Sequence, residues 1–316
     1  MKKIIYSLYA AIKEVKVREN ILTNSMFDKN RIEAEIVRNV HSIEKGLSIR
    51  SPRAGFGIKK INEMFCLTER YMHLTDDKTV LYFVVDAVKE YLEYQKSINF
   101  DSCDIQMIVQ KTKVLEEKLG VHDGKFGGTC DYYKDEMRFD ESVVENLFNT
   151  RHSIREFSGN PVPEKLLCKA IKFAQRAPSA CNRQAVRVYS ISSQDYINAV
   201  GNLDGIGGFA EDVDKFILIT GVRSAYRRGE KNQFVVSASM YAAYLTLSLH
   251  ALGIGACTVQ RSLFPDSTFR DFCKKFGIPE DEQIVVMLGI GMMKDNIKVP
   301  ISQRYPLEKI YRNLSE

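Results

Sequence analysis

Four short segments carry the residues best suited to chemistry. Arg151-His152-Ser153-Ile154-Arg155-Glu156-Phe157 sets two arginines around a serine. Guanidinium forks bind phosphate oxygens in pairs and a hydroxyl adds a donor, so an anion suits this group. A solvated basic helix end, complementing the helix dipole, is the alternative. Ala177-Pro178-Ser179-Ala180-Cys181-Asn182-Arg183-Gln184 offers two side-chain amides, which suit a heterocycle edge or a polyol. A plain helix-stop loop is the alternative there. Leu252-Gly253-Ile254-Gly255-Ala256-Cys257-Thr258 has small residues that let a flat ligand approach the backbone. Gly253 should also cap the preceding helix. Arg304 adds a cation just before Pro306-Leu307-Glu308-Lys309-Ile310.

The usual cofactor signatures are missing. There is no GxxxxGK[ST] loop, and neither Gly253-Ile254-Gly255 nor Gly289-Ile290-Gly291 continues to GxGxxG. No GxSxG elbow marks a hydrolase. The histidines (His41, His73, His122, His152 and His250) are dispersed, without HExxH or another metal-ligand spacing, so no metal site is expected. Cys181 and Cys257 sit inside these segments and read as small apolar fillers.

The elements that must position these residues follow from periodicity. Residues 1 to about 136 read as helices, with clear 3.6-residue spacing at Val80–Tyr94 and Ile105–Leu119. The glycine-dense stretch Leu119–Gly128 marks a boundary. Beyond it, Glu141–Asn149 reads as a short helix capped by Asp140. Pro163–Ala177 reads as a helix with Pro163 in its first turn and Pro178 as its stop. Val186–Ser192, Lys215–Thr220 and Gln283–Gly289 read as strands, the last two apolar enough to be covered by helices on both faces.

Composition bounds the rest. The 316 residues suit two units, or one unit with a large extension, and 45% hydrophobic with 27% charged residues is globular composition. A net charge of +5 is too mild to indicate nucleic acid. Seven cysteines without a CxxC pair fit a reducing cytoplasm better than a disulfide framework. At the start, Ile4, Leu8, Ile12 and Val15 recur at helical spacing, as in an amphipathic helix packed on protein; its basic start would also permit a membrane-surface role. Asn232–Gln260 contains no Asp, Glu, Lys or Arg, and Ser237, Ser239, Thr246, Ser248 and His250 within it favour a buried core helix over a transmembrane span.

Taken together and in this order, the segments resemble the nitroreductase family of FMN enzymes. That family opens with R-R/H-S-x-R-x-F, matched at Arg151–Phe157. It continues with P-S-x-x-N-x-Q-P-W, matched by Pro178, Ser179, Asn182 and Gln184. A long apolar helix then runs into G-x-G and a small residue, as at Gly253–Cys257, and a strand with L-G-I-G precedes an arginine and P-L-E-x-[IV], as from Leu288 to Ile310. The likeness covers about Phe139 to the C-terminus. His152 replaces the commoner second arginine, and Ala185-Val186 replaces the usual Pro-Trp.

The resemblance implies an α+β, three-layer fold with a central mixed, mostly antiparallel sheet flanked by helices. With it go a helical N-terminal extension at residues 1–136 and an FMN-binding domain at 137–316. It implies an intertwined homodimer with flavin at the interface and no nucleic-acid partner. Arg151, His152, Ser153, Arg155 and Arg304 would hold the phosphate and ribityl chain. Pro178, Ser179, Asn182 and Gln184 would reach the flavin from the partner subunit, and the backbone at Ile254, Gly255 and Ala256 would lie along the ring. Hydride would pass from NADH or NADPH through the flavin to an organic acceptor (nitro, quinone or sugar-linked), with no catalytic side chain required. A flavin-binding scaffold or regulator in an envelope polysaccharide pathway is the alternative. A dehydrogenase or flavin-fragmenting enzyme would share the same flavin residues.

His41–Gly57, with Lys45, Arg50 and Arg53, is similar to a segment of a nitroreductase-like subgroup that carries long helical extensions. It would act as an anion-binding lid over the flavin, or as a turn docking the extension on the core.

Overall fold

The computed structural model describes residues 2–120, 122–136, 139–200, 208–259 and 267–315. Five helices occupy the N-terminal region: α1 (Lys2–Thr23), α2 (Asp28–Leu47), α3 (Ile58–Met72), α4 (Thr79–Ser97) and α5 (Cys103–Leu119). Their 3.6-residue stripes converge on one core, with Ile36, Ile43, Ile61, Met64, Val84, Tyr91 and Ile108 essentially inaccessible. Ser102 caps α5, its hydroxyl accepting from Ile105 N, and the helix ends at Gly120.

The His41–Gly57 segment is built into this helical core. Gly57, with φ 75°, starts α3 so close to Ile43 that a Cβ would lie 2.5 Å from Ile43 Cδ1. Gly55 N donates to Gln95 Oε1 at 2.9 Å, and the Tyr94 hydroxyl donates to Pro52 O at 2.5 Å. These contacts tie the segment to α2 and α4 within the extension itself, which is neither a lid over the flavin nor a dock onto the C-terminal region, and Arg50 and Arg53 remain exposed.

α6 (Glu141–Thr150) follows, with Asp140 accepting from Ser142 N as its cap. α7 (Glu164–Ala174) is shorter than expected. Arg176 N and Ala177 N bond three residues back, to Phe173 O and Ala174 O, tightening the end into a turn. The remaining elements are β1 (Val186–Ser192), α8 (Ser193–Val200), β2 (Lys215–Val222), α9 (Gln233–Ala251), β3 (Ile254–Val259), α10 (Ser267–Lys275) and β4 (Glu282–Met292).

The sheet is antiparallel throughout, in the order β1-β2-β4-β3. Period-two alternation divides it between two layers. Ile217 and Ile219 of β2, Leu288 and Ile290 of β4, and Ile254 and Ala256 of β3 lie under α7 and α9. Phe216, Leu218, Met287, Cys257 and Val259 face Tyr196 of α8 and Phe272 of α10. β2 and β4 run beyond their expected ends because the apolar pattern continues through Val222 and Met292. β3 was not anticipated; its run, Ile254 to Val259, is short and glycine-bearing.

α1 departs from expectation. The Ile4 side chain lies outside the described residues; of the rest of the stripe, Leu8, Ile12 and Val15 are exposed, while Ile21 is buried. Ion pairs hold the helix instead, Glu14 with Arg223 at 2.6 Å and Glu19 with Arg228 at 2.5 Å. α9 is the one described helix long and apolar enough to cross a membrane, and here it packs over the sheet.

Candidate functional site

The Arg151–Phe157 segment runs beside the edge strand β3. Ile154 N donates to Ala256 O at 3.0 Å, Phe157 forms an antiparallel bridge with Met293, and Ser158 N donates to Met292 O at 2.9 Å. Ile154 and Phe157 are buried, while Arg155 turns outward. Glycine makes this approach possible: a Cβ on Gly255 would lie 2.9 Å from Ile154 Cγ2, and one on Gly291 would lie 2.7 Å from the Phe157 ring. Sequence reasoning reserved the open face of Gly255 for a ligand. Within one chain, Ile154 and Met293 fill it. Ile254 and Ala256 are likewise core residues, and the backbone of 254–256 pairs with β4.

The cations gather where α9 ends. Gly253, with φ 75°, reverses the chain there, as a helix-ending glycine does. The Nε2 of His250, in the last turn, lies 2.8 Å from the Thr150 hydroxyl. Burial, with Arg151 and His152 nearby, pushes the His250 pKa below its ordinary 6.5. Arg155 stands 6.0 Å from the Phe209 ring centroid and beside Cys257. Burial raises the Cys257 pKa and Arg155 offsets this only in part, so the thiol stays protonated and fills space. Among the described residues, neither Arg151 nor Arg155 has an ion-pair partner, so both guanidiniums are open to an anion, with His152 and the depressed-pKa His250 beside Arg151 as ring N–H donors. Ser153 is half-buried.

His250 reads in sequence as one of five dispersed histidines, which hides its place beside Arg151 and His152. The available signal was a lone basic residue in the last turn of an otherwise uncharged helix. Its titration tests this arrangement. A group whose folded pKa is depressed stays neutral as pH falls through 6.5 and charges only below that. NMR should show the His250 ring titrating below 6.5, and an anion such as inorganic phosphate bound beside Arg151 should raise that midpoint. A midpoint at or above 6.5 without ligand contradicts the arrangement.

The Pro178–Gln184 loop is built from unusual backbone. Cys181, Asn182 and Gln184 have φ values of 54°, 52° and 50°. Left-handed backbone at residues other than glycine costs roughly 1–3 kcal/mol each and survives only where surroundings enforce it. Ser179 helps, since its Oγ accepts from Gln184 N at 3.0 Å. The coil leaves the side chains of Pro178, Asn182 and Gln184 exposed and that of Arg183 buried. Ala185, which replaces the expected proline, is buried under the helical layer beside Ala34 of α2.

These two segments do not meet within one chain. Arg183 packs on Tyr226, whose hydroxyl donates to Ser237 near the start of α9, whereas Arg151 and His152 lie by His250 at its end. Thirteen helical residues at 1.5 Å each separate the two places by about 20 Å. Arg304 joins neither. It lies on an exposed C-terminal arm, where its guanidinium donates to Ser302 O.

The family model described as "Nitroreductase family" matches residues 149–217 and 202–292. A Methanothermobacter thermautotrophicus protein, named for NADH dehydrogenase and NAD(P)H nitroreductase activity, is 22% identical over 173 residues, or 53% of this chain and 88% of its own. A Desulfovibrio desulfuricans nitroreductase solved with FMN is 19% identical, covering 54% of this chain and 95% of its own, with a TM-score of 0.45. A Bacillus cereus protein of the nitroreductase-like family is 16% identical, covering 60% of this chain and all of its own, with a TM-score of 0.47.

Proposed function

We propose, from the match of residues 149–292 to the nitroreductase family model, that the protein is a homodimeric FMN-dependent oxidoreductase using NADH or NADPH to reduce an organic acceptor. Residues 1–136 form a helical extension on this reading, and the flavin unit starts at 137. The observation that carries it is the division of the site between the two ends of α9. Val236, Met240 and Tyr244 form an exposed apolar stripe along that helix. Two copies packed antiparallel on this stripe, about a twofold axis, would bring the arginine segment of one against the 178–184 loop of the other. Val143, Val144 and Phe148 of α6 add exposed apolar surface beside it. Ile301, Tyr305, Leu307, Ile310 and Tyr311 make the arm carrying Arg304 suited to lie across a second copy.

FMN fits the donor set. Arg151, Arg155, His152 and Ser153 would hold the phosphate, with Arg304 joining from the arm, and Asn182 and Gln184 would bond the ring edge. When bound, the flavin supplies two-electron transfer, taking hydride from the nicotinamide and passing it to the acceptor. The protein's part is positioning and electrostatics: cations favour negative charge in the pocket, and the paired loops exclude water from it. No side chain acts as nucleophile. All seven cysteines are free, and we assign the protein to the reducing cytoplasm.

The test is an FMN titration of the purified protein followed by anaerobic stopped-flow mixing with NADH and NADPH. A one-to-one stoichiometry per chain and rapid loss of the flavin absorbance with either donor are expected. Tight FMN binding without reduction by either donor would favour the scaffold reading. No FMN binding would end the flavin assignment.

A further inference from the structure

Two sets of ion pairs, joined by one backbone hydrogen bond, connect the helical extension to the left-handed loop. Arg183 stands between Asn182 and Gln184, and its side chain is only 1% exposed. Its Nη2 donates to Glu230 Oε1 at 2.9 Å, its guanidinium lies 5.0 Å from the Tyr226 ring centroid, and its Nε and Nη1 are buried without a hydrogen-bond partner. The other Glu230 oxygen accepts Arg227 N at 2.9 Å. Arg227 then forks onto Glu35 of α2, at 2.8 and 2.6 Å, and Arg38 donates to the same carboxylate at 2.6 Å. The order Arg183, Glu230, Arg227, Glu35, Arg38 thus alternates in sign from the loop into the extension. Burial works against the charge on Glu35, but Arg227 and Arg38 together hold its pKa below the ordinary value. α2 also packs against the Ala180–Asn182 turn, with Ala34 in the same apolar cluster as Ala180.

A buried guanidinium left with two unpaired nitrogens is a poor stabiliser of a core. A sequence of left-handed residues needs an external constraint. The two facts explain each other if the arginine is kept as the loop's anchor. We propose that Arg183 is a positioning residue, and that through Glu230, Arg227 and Glu35 the helical extension holds the 179–184 loop in the shape that presents Asn182 and Gln184 to the cofactor. This rests on the flavin reading for its consequence but not for its geometry. Without the anchor the backbone at 181, 182 and 184 relaxes to right-handed conformations and the two amides leave the pocket.

The experiment uses full-length protein with Arg183→Met, Arg183→Lys and Glu35→Gln. Two quantities are measured: FMN affinity by quenching of flavin fluorescence, and hydrogen exchange at amides 179–184 in the apo protein. Arg183→Met should weaken FMN binding by at least about tenfold and speed loop exchange by a similar factor, with exchange in β2 and β4 unchanged. Glu35→Gln, further along the chain and away from the pocket, should move both in the same direction by about threefold. Arg183→Lys should recover most of the affinity. Should Arg183→Met not fold, Glu35→Gln and Arg183→Lys decide the matter. Loop exchange and FMN affinity both within twofold of wild type in Glu35→Gln and Arg183→Met overturn the proposal. If wild-type protein binds no FMN, the flavin reading fails, while apo-loop exchange still decides whether the linked ion pairs hold the loop.

Discussion

On the proposed twofold packing of α9, Met240→Glu should give a folded monomer that no longer retains FMN. Met240 is 38% exposed at the middle of α9, flanked one turn either way by Val236 and Tyr244, which are also exposed. The opposite face of the helix, with Ala238, Tyr241 and Leu245, is buried over the sheet and does not sense the change. Around a twofold axis the substitution enters twice, bringing two carboxylates together in an apolar contact. Burying unpaired charge costs several kcal/mol, so dimer dissociation should be favoured by at least about a thousandfold. Light scattering should give one-chain mass, far-ultraviolet circular dichroism should stay unchanged, and the flavin absorbance should be lost with the dimer. A Met240→Glu protein that remains dimeric and coloured would show that α9 is not the contact and that each site is complete in one chain.

The second large effect concerns the phosphate. Arg151→Ala combined with Arg155→Ala should weaken FMN binding by a factor of about 100 to 10,000, since a charge-assisted hydrogen bond contributes roughly 1.5–3 kcal/mol. Riboflavin, which lacks the phosphate, should lose no more than a few-fold. Adding salt should erode the wild-type affinity for FMN and leave the variant's almost unchanged. Parallel losses for FMN and riboflavin would mean that these arginines hold the ring instead. The variant should fold normally, because Arg155 points outward and Arg151 makes no ion pair among the described residues, while the buried contacts of Ile154 and Phe157 remain.

Local pattern was enough to read several parts of this protein. The helices α4 and α5 follow from apolar spacing, Asp140 is the cap expected of it, and β1, β2 and β4 follow from runs of β-branched and apolar residues. The Arg151–Arg155 segment offered two readings from its residue types, an anion site or a solvated basic helix end. Other features depend on what lies across the fold. Gly255 looks like room for a ligand until Ile154 is laid against it. Leu8, Ile12 and Val15 look like a packing stripe, yet α1 is held by Glu14 and Glu19 through Arg223 and Arg228. Nothing near His250 in sequence reveals Arg151 and His152 beside it.

Hydrophobic periodicity and side-chain chemistry are local quantities, carried by neighbours along the chain, and they determined element type and offered candidate ligand chemistry here. Separation, pairing and strain are not local. That the arginine segment and the amide loop sit at opposite ends of one helix, and that a buried arginine far along the chain from Glu35 and Arg38 of α2 is tied to them through Glu230 and Arg227, arises only when distant segments compete for the same space and the same counter-charges.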